Sequence, residues 1–292
     1  MSTDVNEVGQ ELRFDVGDMR YAAKAFGPAD GIPLLALHGW LDNAASFDVI
    51  APMLDQCRVV AVDLSGQGFS SHRPSSSQYL IWSDLVDLLS IADQLGWETF
   101  NVIGHSRGGM ISTLLAISSP ERVKKLVTLD TLMPFPSPAE EATKNLREYI
   151  RDERKFLARK AQNLEQKPFA TLDKAVEVRQ MLMPIEHDSA IRILRRGSRE
   201  VEGGYVWRHD ERLKGRSAFK LSGEHNEFLY QDLDSETLFF ITTDQLKRSP
   251  HITEFAEKND KVQVIGVEGN HHFHLEDPVH EIVPRIQQFL SV

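Results

Sequence analysis

Residues 99–117 read TFNVIGHSRGGMISTLLAI, and this stretch determines how the rest of the chain is interpreted. Its first five residues have the apolar character of a short buried strand, and the apolar run from residue 110 predicts a helix. A G-x-S-x-G pattern centred on Ser106 lies between them. A strand, a sharp turn and a helix are the setting in which this pattern places a serine above the end of a strand as a nucleophile. The sequence therefore predicts Ser106 as a catalytic residue.

A serine hydroxyl is a weak nucleophile and needs a base beside it. Among the eleven histidines, His271 is the strongest candidate. A strand-like run at residues 261–267 leads to a Gly-Asn turn that ends in this histidine. Because open α/β sheets carry their chemistry at the carboxyl ends of the strands, we predict that His271 lies beside Ser106.

Two aspartates compete for the role of the acid that orients the imidazole. Asp244 follows the apolar run at residues 237–243 and precedes His271 by 27 residues. That distance is about one strand–helix–strand unit, which would bring two neighbouring strand ends together. Asp130 also follows a strand and remains the alternative. We favour Asp244; with either aspartate the order along the chain is Ser, Asp, His.

Four separated motifs make the chain similar to the α/β-hydrolases over almost its whole length. Besides the serine motif, these are LALHGW at 35–40, DLSGQGFS at 63–70 and HHFHLEDP at 271–278. They resemble the family's His-Gly loop, its D-x-x-G-x-G-x-S turn and its histidine segment. Within the superfamily, HGWLDN at 38–43, LRRG at 194–197 and WRHD at 207–210 resemble the serine hydrolase-like proteins. The resemblance implies an α/β-hydrolase fold: a mostly parallel eight-stranded sheet flanked by helices, with a helical cap insertion.

The alternation of strands and helices stops after residue 133. A proline-rich exit follows, and then helix-like patterns at residues 139–166, 172–182 and 188–195. We predict a first part of the core at 1–133, a cap at 134–234 and a second part of the core at 235–292. In this family the cap covers the strand ends and shapes the substrate pocket, so Trp207 either lines that pocket or anchors the cap on the core.

An ester carbonyl attacked by Ser106 becomes an oxyanion, which two hydrogen-bond donors would stabilise. The backbone N–H groups of Arg107, directly after the serine, and of Trp40, directly after His-Gly, are the predicted donors. Trp40 and Leu41 are then candidate pocket residues together with Trp207. The side chain of Arg107 either steers an anionic substrate or forms a surface ion pair.

The composition of the chain argues against several other classes of function. The formal net charge of −10 argues against nucleic acid and against anionic membrane surfaces as partners. The start of the chain has no signal-like stretch, no apolar run is long enough to span a bilayer, and Cys57 is the only cysteine. These features favour the cytoplasm. We predict no cofactor and no metal site, because His272 and His274 occur without cysteines or clustered carboxylates. Monomer and homodimer both remain open.

Together these features predict a serine hydrolase that cleaves carboxylic esters of small-molecule substrates through an acyl-enzyme intermediate. Lactone or thioester hydrolysis and a non-hydrolytic reaction remain alternative uses of the same three side chains. The alternative from another class is a non-catalytic small-molecule-binding or scaffold protein on the same fold.

Overall fold

The structure is a computed structural model that describes residues 9–249 and 251–291. Eight of its strands form one sheet: β1 (Gln10–Val16), β2 (Met19–Phe26), β3 (Ile32–Leu37), β4 (Cys57–Val62), β5 (Phe100–His105), β6 (Val123–Leu129), β9 (Glu236–Thr242) and β10 (Val262–Val267). Two short strands, β7 (Ser198–Val201) and β8 (Gly204–Trp207), form a separate hairpin. The sheet order is β1-β2-β4-β3-β5-β6-β9-β10, and within this sheet β2 alone runs opposite to the other seven strands. The predicted mostly parallel eight-stranded sheet is confirmed.

Both faces of this sheet are buried, which explains the unbroken apolar runs in its central strands. In β3, Leu35 and Leu37 belong to the apolar core on one face, whereas Leu34 and Ala36 belong to the core on the other. Successive side chains of a strand point to opposite faces, so a strand covered on both sides needs apolar residues at every position. The central strands therefore fix the layered architecture.

Helices cover the two faces and form most of the segment between β6 and β9. They are α1 (Ile50–Met53), α2 (Leu85–Gln94), α3 (Arg107–Ser118), α4 (Ala142–Ala161), α5 (Leu172–Leu182), α6 (His187–Gly197), α7 (Gly223–Gln231), α8 (Thr243–Arg248), α9 (His251–Ala256) and α10 (Val279–Ser291). Residues of α1 and α10 belong to one apolar core, and residues of α2, α3, α7 and α9 belong to the other. None of these helices, within the residues described, combines the length and apolarity needed to cross a bilayer.

The segment between β6 and β9, which we call the cap, contains α4 to α7 and the β7–β8 hairpin. The sequence predicted the helices but not the hairpin, because four-residue strands are too short to show an alternating pattern. Gly203 in its turn and Gly204 at the start of β8 have φ of 85° and 134°, values that favour glycine. The boundaries at 134 and 234 stay a prediction, and residues 1–8 of the predicted first core part lie outside the described residues.

Buried polar contacts join the cap to the loops at the carboxyl ends of the strands. Arg196 on α6 donates from Nε to both carboxylate oxygens of Asp63, at 2.9 Å each. Arg179 on α5 pairs with Asp42, and all four side chains are almost completely buried. Buried charges of this kind are stable only when they are paired. The cap is therefore held in one place over the strand ends.

Candidate active site

Ser106 lies in a strained turn between β5 and α3. Its φ of 52° and ψ of −117° belong to a region that residues other than glycine rarely adopt. The turn is tight enough that a Cβ at Gly104 would lie 2.3 Å from Ser112 Oγ, and one at Gly108 would lie 2.0 Å from the Leu37 carbonyl oxygen. Only glycine fits at these two positions. The strand, turn and helix around Ser106 are arranged as the sequence predicts.

The loop after β3 packs against the same turn. A Cβ at Gly39 would lie 2.9 Å from Nδ1 of His105, the residue before Ser106. The next residues are Trp40 and Leu41, and Leu41 donates its backbone N–H to Gln67 Oε1 at 2.7 Å. Within the described part of the chain, the backbone N–H groups of Trp40 and Arg107 donate to no other group. Two unused donors therefore flank the serine turn.

His271 is paired with Asp130 and not with Asp244. The distance from His271 Nδ1 to Asp130 Oδ2 is 2.6 Å. The other oxygen of Asp130 accepts the backbone N–H of Thr242 at 3.0 Å, and the N–H of Asp130 itself donates to the Phe240 carbonyl at 2.7 Å. These contacts fix the carboxylate at the adjoining ends of β6 and β9. With Nδ1 donating to Asp130, Nε2 of a neutral His271 has the lone pair that a base requires.

The preference for Asp244 as the partner of His271 is therefore wrong. Asp244 lies in the first turn of α8, its side chain is 69% exposed, and its Oδ2 is 3.9 Å from Arg248 Nη2. The cause is local: β9 passes directly into α8, and Thr242 caps that helix by accepting the N–H of Gln245 at 3.3 Å. A residue two positions beyond the strand thus already belongs to an exposed helix.

The serine turn and the histidine loop are in contact. The rings of His105 and His271 have centroids 4.6 Å apart, and His105 Nε2 lies 2.8 Å from the His271 carbonyl oxygen. Because a carbonyl can only accept, Nε2 of His105 carries the proton. The hydrogen bonds among the described residues do not include one from Ser106 Oγ to His271 Nε2. Catalytic hydrogen bonds are often long in a ligand-free site and shorten when substrate binds.

Comparison with known proteins agrees with this geometry. Residues 32–278 match the family model for the alpha/beta hydrolase fold. The chain belongs to the α/β-hydrolase superfamily. Its similarity to the serine hydrolase-like proteins, predicted from the sequence motifs, is also confirmed.

Relatives of this α/β-hydrolase match it over most of their length. A serine hydrolase-like protein of Danio rerio is 30% identical over 288 residues, which cover 95% of this chain and 87% of that protein. Serine hydrolase-like protein 2 of Homo sapiens is 28% identical over 299 residues, covering 96% of this chain and 94% of that protein. The crystal structure of a hypothetical protein from Pseudomonas aeruginosa has 36% identity and a TM-score of 0.89, covering 97% of this chain and 100% of that one.

In this α/β-hydrolase a buried carboxylate, Asp42, lies behind the two loops. Its Oδ2 is 3.6 Å from His105 Nδ1 and 3.4 Å from His272 Nε2, and its other oxygen binds Arg179. Burial alone would raise the pKa of Asp42, but the buried guanidinium of Arg179 holds it well below its usual range. Burial lowers the pKa of His105 to about 4, so this ring is neutral at pH 7. Sequence reasoning assigned no role to Asp42 or Arg179, which are 137 residues apart.

Asp42, His105 and His272 also form a group that could hold a metal ion, because one ligand atom from each lies within 4.8 Å of the others. The guanidinium of Arg179 on the same carboxylate opposes a second cation there. The chemistry of the group therefore fits a buried ion pair that positions the residues next to Ser106 and His271 better than it fits a metal centre.

Two of the three candidate pocket residues share a cavity. A space of about 90 Å³ lies between the cap and the core and is lined by Leu41 and Trp207, together with His209 and Arg179. Trp40 does not line this cavity. Instead, its indole Nε1 donates to the Leu213 carbonyl of the cap at 2.9 Å, so that Trp40 joins the loop after β3 to the cap.

Proposed function

We propose that this hydrolase cleaves carboxylic esters of small molecules through an acyl-enzyme intermediate. Ser106 is the nucleophile, His271 the general base and Asp130 the acid that orients His271. The observation that carries the proposal is the 2.6 Å contact between His271 Nδ1 and Asp130 Oδ2 beside a serine held in the strained turn. A serine, an imidazole and a fixed carboxylate are the parts that acyl transfer requires.

In the proposed reaction, His271 Nε2 removes the proton of Ser106 Oγ as the oxygen attacks the ester carbonyl. The carboxylate of Asp130 keeps the proton of the ring on Nδ1 and stabilises the imidazolium that forms. His271 then gives its proton to the departing alcohol. Water attacks the acyl-enzyme with the same histidine as base, and the acid is released.

The oxyanion formed in both steps would accept the backbone N–H groups of Trp40 and Arg107. Their lack of another acceptor among the described residues supports this role. The N-terminal end of α3, which begins directly after Ser106, adds a favourable field for negative charge. One donor of this kind typically contributes about 3–4 kcal/mol of transition-state stabilisation.

Labelling by a fluorophosphonate probe and hydrolysis of p-nitrophenyl esters test the proposal. We expect the wild type to be labelled and active, and Ser106→Ala to lose labelling and at least about 10³-fold in kcat. Ser118→Ala, at the exposed end of the same helix, is the matched control and should behave like the wild type. Labelling that persists in Ser106→Ala contradicts the assignment of the nucleophile. A wild type that is neither labelled nor active favours the non-catalytic alternative.

A further inference from the structure

The side chain of Arg107 is a partly buried cation directly after the nucleophile. Its Nη2 donates to the Leu80 carbonyl oxygen at 3.2 Å. Its Nη1 is shielded from solvent and has no hydrogen-bond partner within the described residues. Because a guanidinium keeps its charge at neutral pH, the structure holds a positive charge whose hydrogen-bonding capacity is only partly used. A surface ion pair was one of the two roles that the sequence allowed for this side chain. Arg107 forms no such pair within the described part of the chain.

The acid whose charge acts on Arg107, Asp84, is already bound to another arginine. Arg73 Nη2 lies 3.0 Å from Asp84 Oδ1 and 2.6 Å from Asp87 Oδ2. The hydroxyl of Tyr21 donates to Asp87 Oδ2 at 2.5 Å and lies 3.1 Å from Asp84 Oδ1. Burial lowers the pKa of Arg107, Asp84 raises it from a longer distance, and Arg73 lowers it further. These two acids therefore bind Arg73, and Arg107 has no acidic partner among the residues that the structure describes.

A shielded charge with an unused donor is unfavourable unless an anion comes to it. Arg107 directly follows Ser106 in the chain, and its backbone N–H is a predicted oxyanion donor. The protein as a whole has a net charge of −10 and repels anions. A cationic side chain on the residue after the nucleophile would favour the binding of a negatively charged substrate in spite of that repulsion.

We infer that the guanidinium of Arg107 binds a carboxylate of the substrate, so that the preferred substrates are monoesters of dicarboxylic acids. This inference rests on the proposed ester hydrolysis. The planar guanidinium matches a carboxylate through two parallel hydrogen bonds, a geometry that an ammonium group cannot reproduce. Arg107 then binds two groups of the substrate. Its backbone N–H binds the oxyanion formed from the scissile ester, and its guanidinium binds the carboxylate.

Matched ester pairs test this inference. The 4-nitrophenyl monoesters of glutaric and adipic acid differ from 4-nitrophenyl pentanoate and hexanoate only by a terminal carboxylate in place of a methyl group. We expect the wild type to prefer the acidic ester of each pair in kcat/KM. Arg107→Met should lower the acidic-to-neutral ratio of kcat/KM about 10-fold or more, as expected when a charged hydrogen bond is lost. Arg107→Lys should give an intermediate ratio.

Arg248→Met is the matched control, because it removes the same charge from an exposed position and should leave the ratio as in the wild type. Fluorophosphonate labelling of Arg107→Met checks that its serine is still reactive. Turnover of both esters with the same ratio in the wild type and Arg107→Met overturns the role of Arg107. A wild type that is not labelled and turns over neither ester overturns the proposed hydrolysis instead.

Calorimetric titration with glutarate tests Arg107 without any turnover. Binding to the wild type that is lost in Arg107→Met supports the inference. Equal binding by both proteins, or no binding by either, overturns it.

Discussion

Asp130 and Asp244 follow neighbouring strands of the sheet, and both precede His271 in the chain, yet their surroundings are opposite. Asp130 is the first residue after β6, and its side chain, 8% exposed, lies between His271 and the backbone of Thr242. Asp244 is the second residue after β9 and lies exposed in a helix. The difference shows that the distance of an acid from the end of its strand matters as much as the strand that it follows.

Backbone conformation contributes to this difference. Asp130 has a φ of 61°, in the left-handed region that aspartate tolerates better than most residues. The chain therefore turns at Asp130 while the next strand end supplies an N–H to hold the carboxylate. Thr242 instead has extended backbone and starts α8 with its own side chain as cap. No helical turn of this kind follows Asp130.

Replacing each aspartate by asparagine should give the largest difference in activity between the two positions. Asp130→Asn keeps the shape but favours the wrong tautomer of His271, so we expect kcat/KM for esters to fall about 10³- to 10⁴-fold. Asp244→Asn should stay within about twofold of the wild type, because exposed substitutions of this kind have small effects. Steady-state kinetics on one p-nitrophenyl ester measure both. If Asp244→Asn loses this activity and Asp130→Asn keeps it, the acid that orients His271 is Asp244 and not Asp130.

The hydrogen bond from Thr242 to Asp130 can be removed by itself. Thr242 has a φ of −63°, which proline adopts without strain, so Thr242→Pro deletes the N–H that holds Asp130 Oδ1. We expect kcat/KM to fall about 10-fold, the effect of losing one hydrogen bond to a charged group.

Thr242→Ala is the control for this prediction, because it loses the same helix cap but keeps the N–H. It should lose some thermal stability and little activity. Equal activities of the proline and alanine variants would show that the backbone donor does not position Asp130.

The smallest effect is expected at the exposed acid itself. Asp244→Ala and Arg248→Ala should each change the free energy of unfolding by less than about 0.5 kcal/mol, because exposed ion pairs one helical turn apart contribute little. Urea denaturation of the two variants and of the double variant gives the coupling energy between the side chains. A coupling above about 1 kcal/mol would mean that this pair is a structural element and not a solvated surface contact.

Much of the fold and part of the site could be predicted from the sequence because they depend on local pattern. The strand, turn and helix around Ser106 are contiguous, and α5 occupies the predicted residues 172–182. The preference for Asp244 failed because the choice of acid depends on the sign of one φ angle and on a hydrogen bond between residues 112 positions apart. The pairing of Asp42 with Arg179 was missed for the same reason, since no local pattern records a contact between the core and the cap.

The buried arginines of the cap have a consequence for how such proteins diversify. A cap exchanged alone would remove Arg179 and Arg196 and leave the buried carboxylates of Asp42 and Asp63 without their guanidinium partners. Each lost partner costs about 3–5 kcal/mol, a large fraction of the stability of a typical domain. The cap is therefore not an interchangeable module. Chimeras should carry the loops containing both aspartates along with a new cap, and new specificities should come more readily from the apolar residues between these anchors.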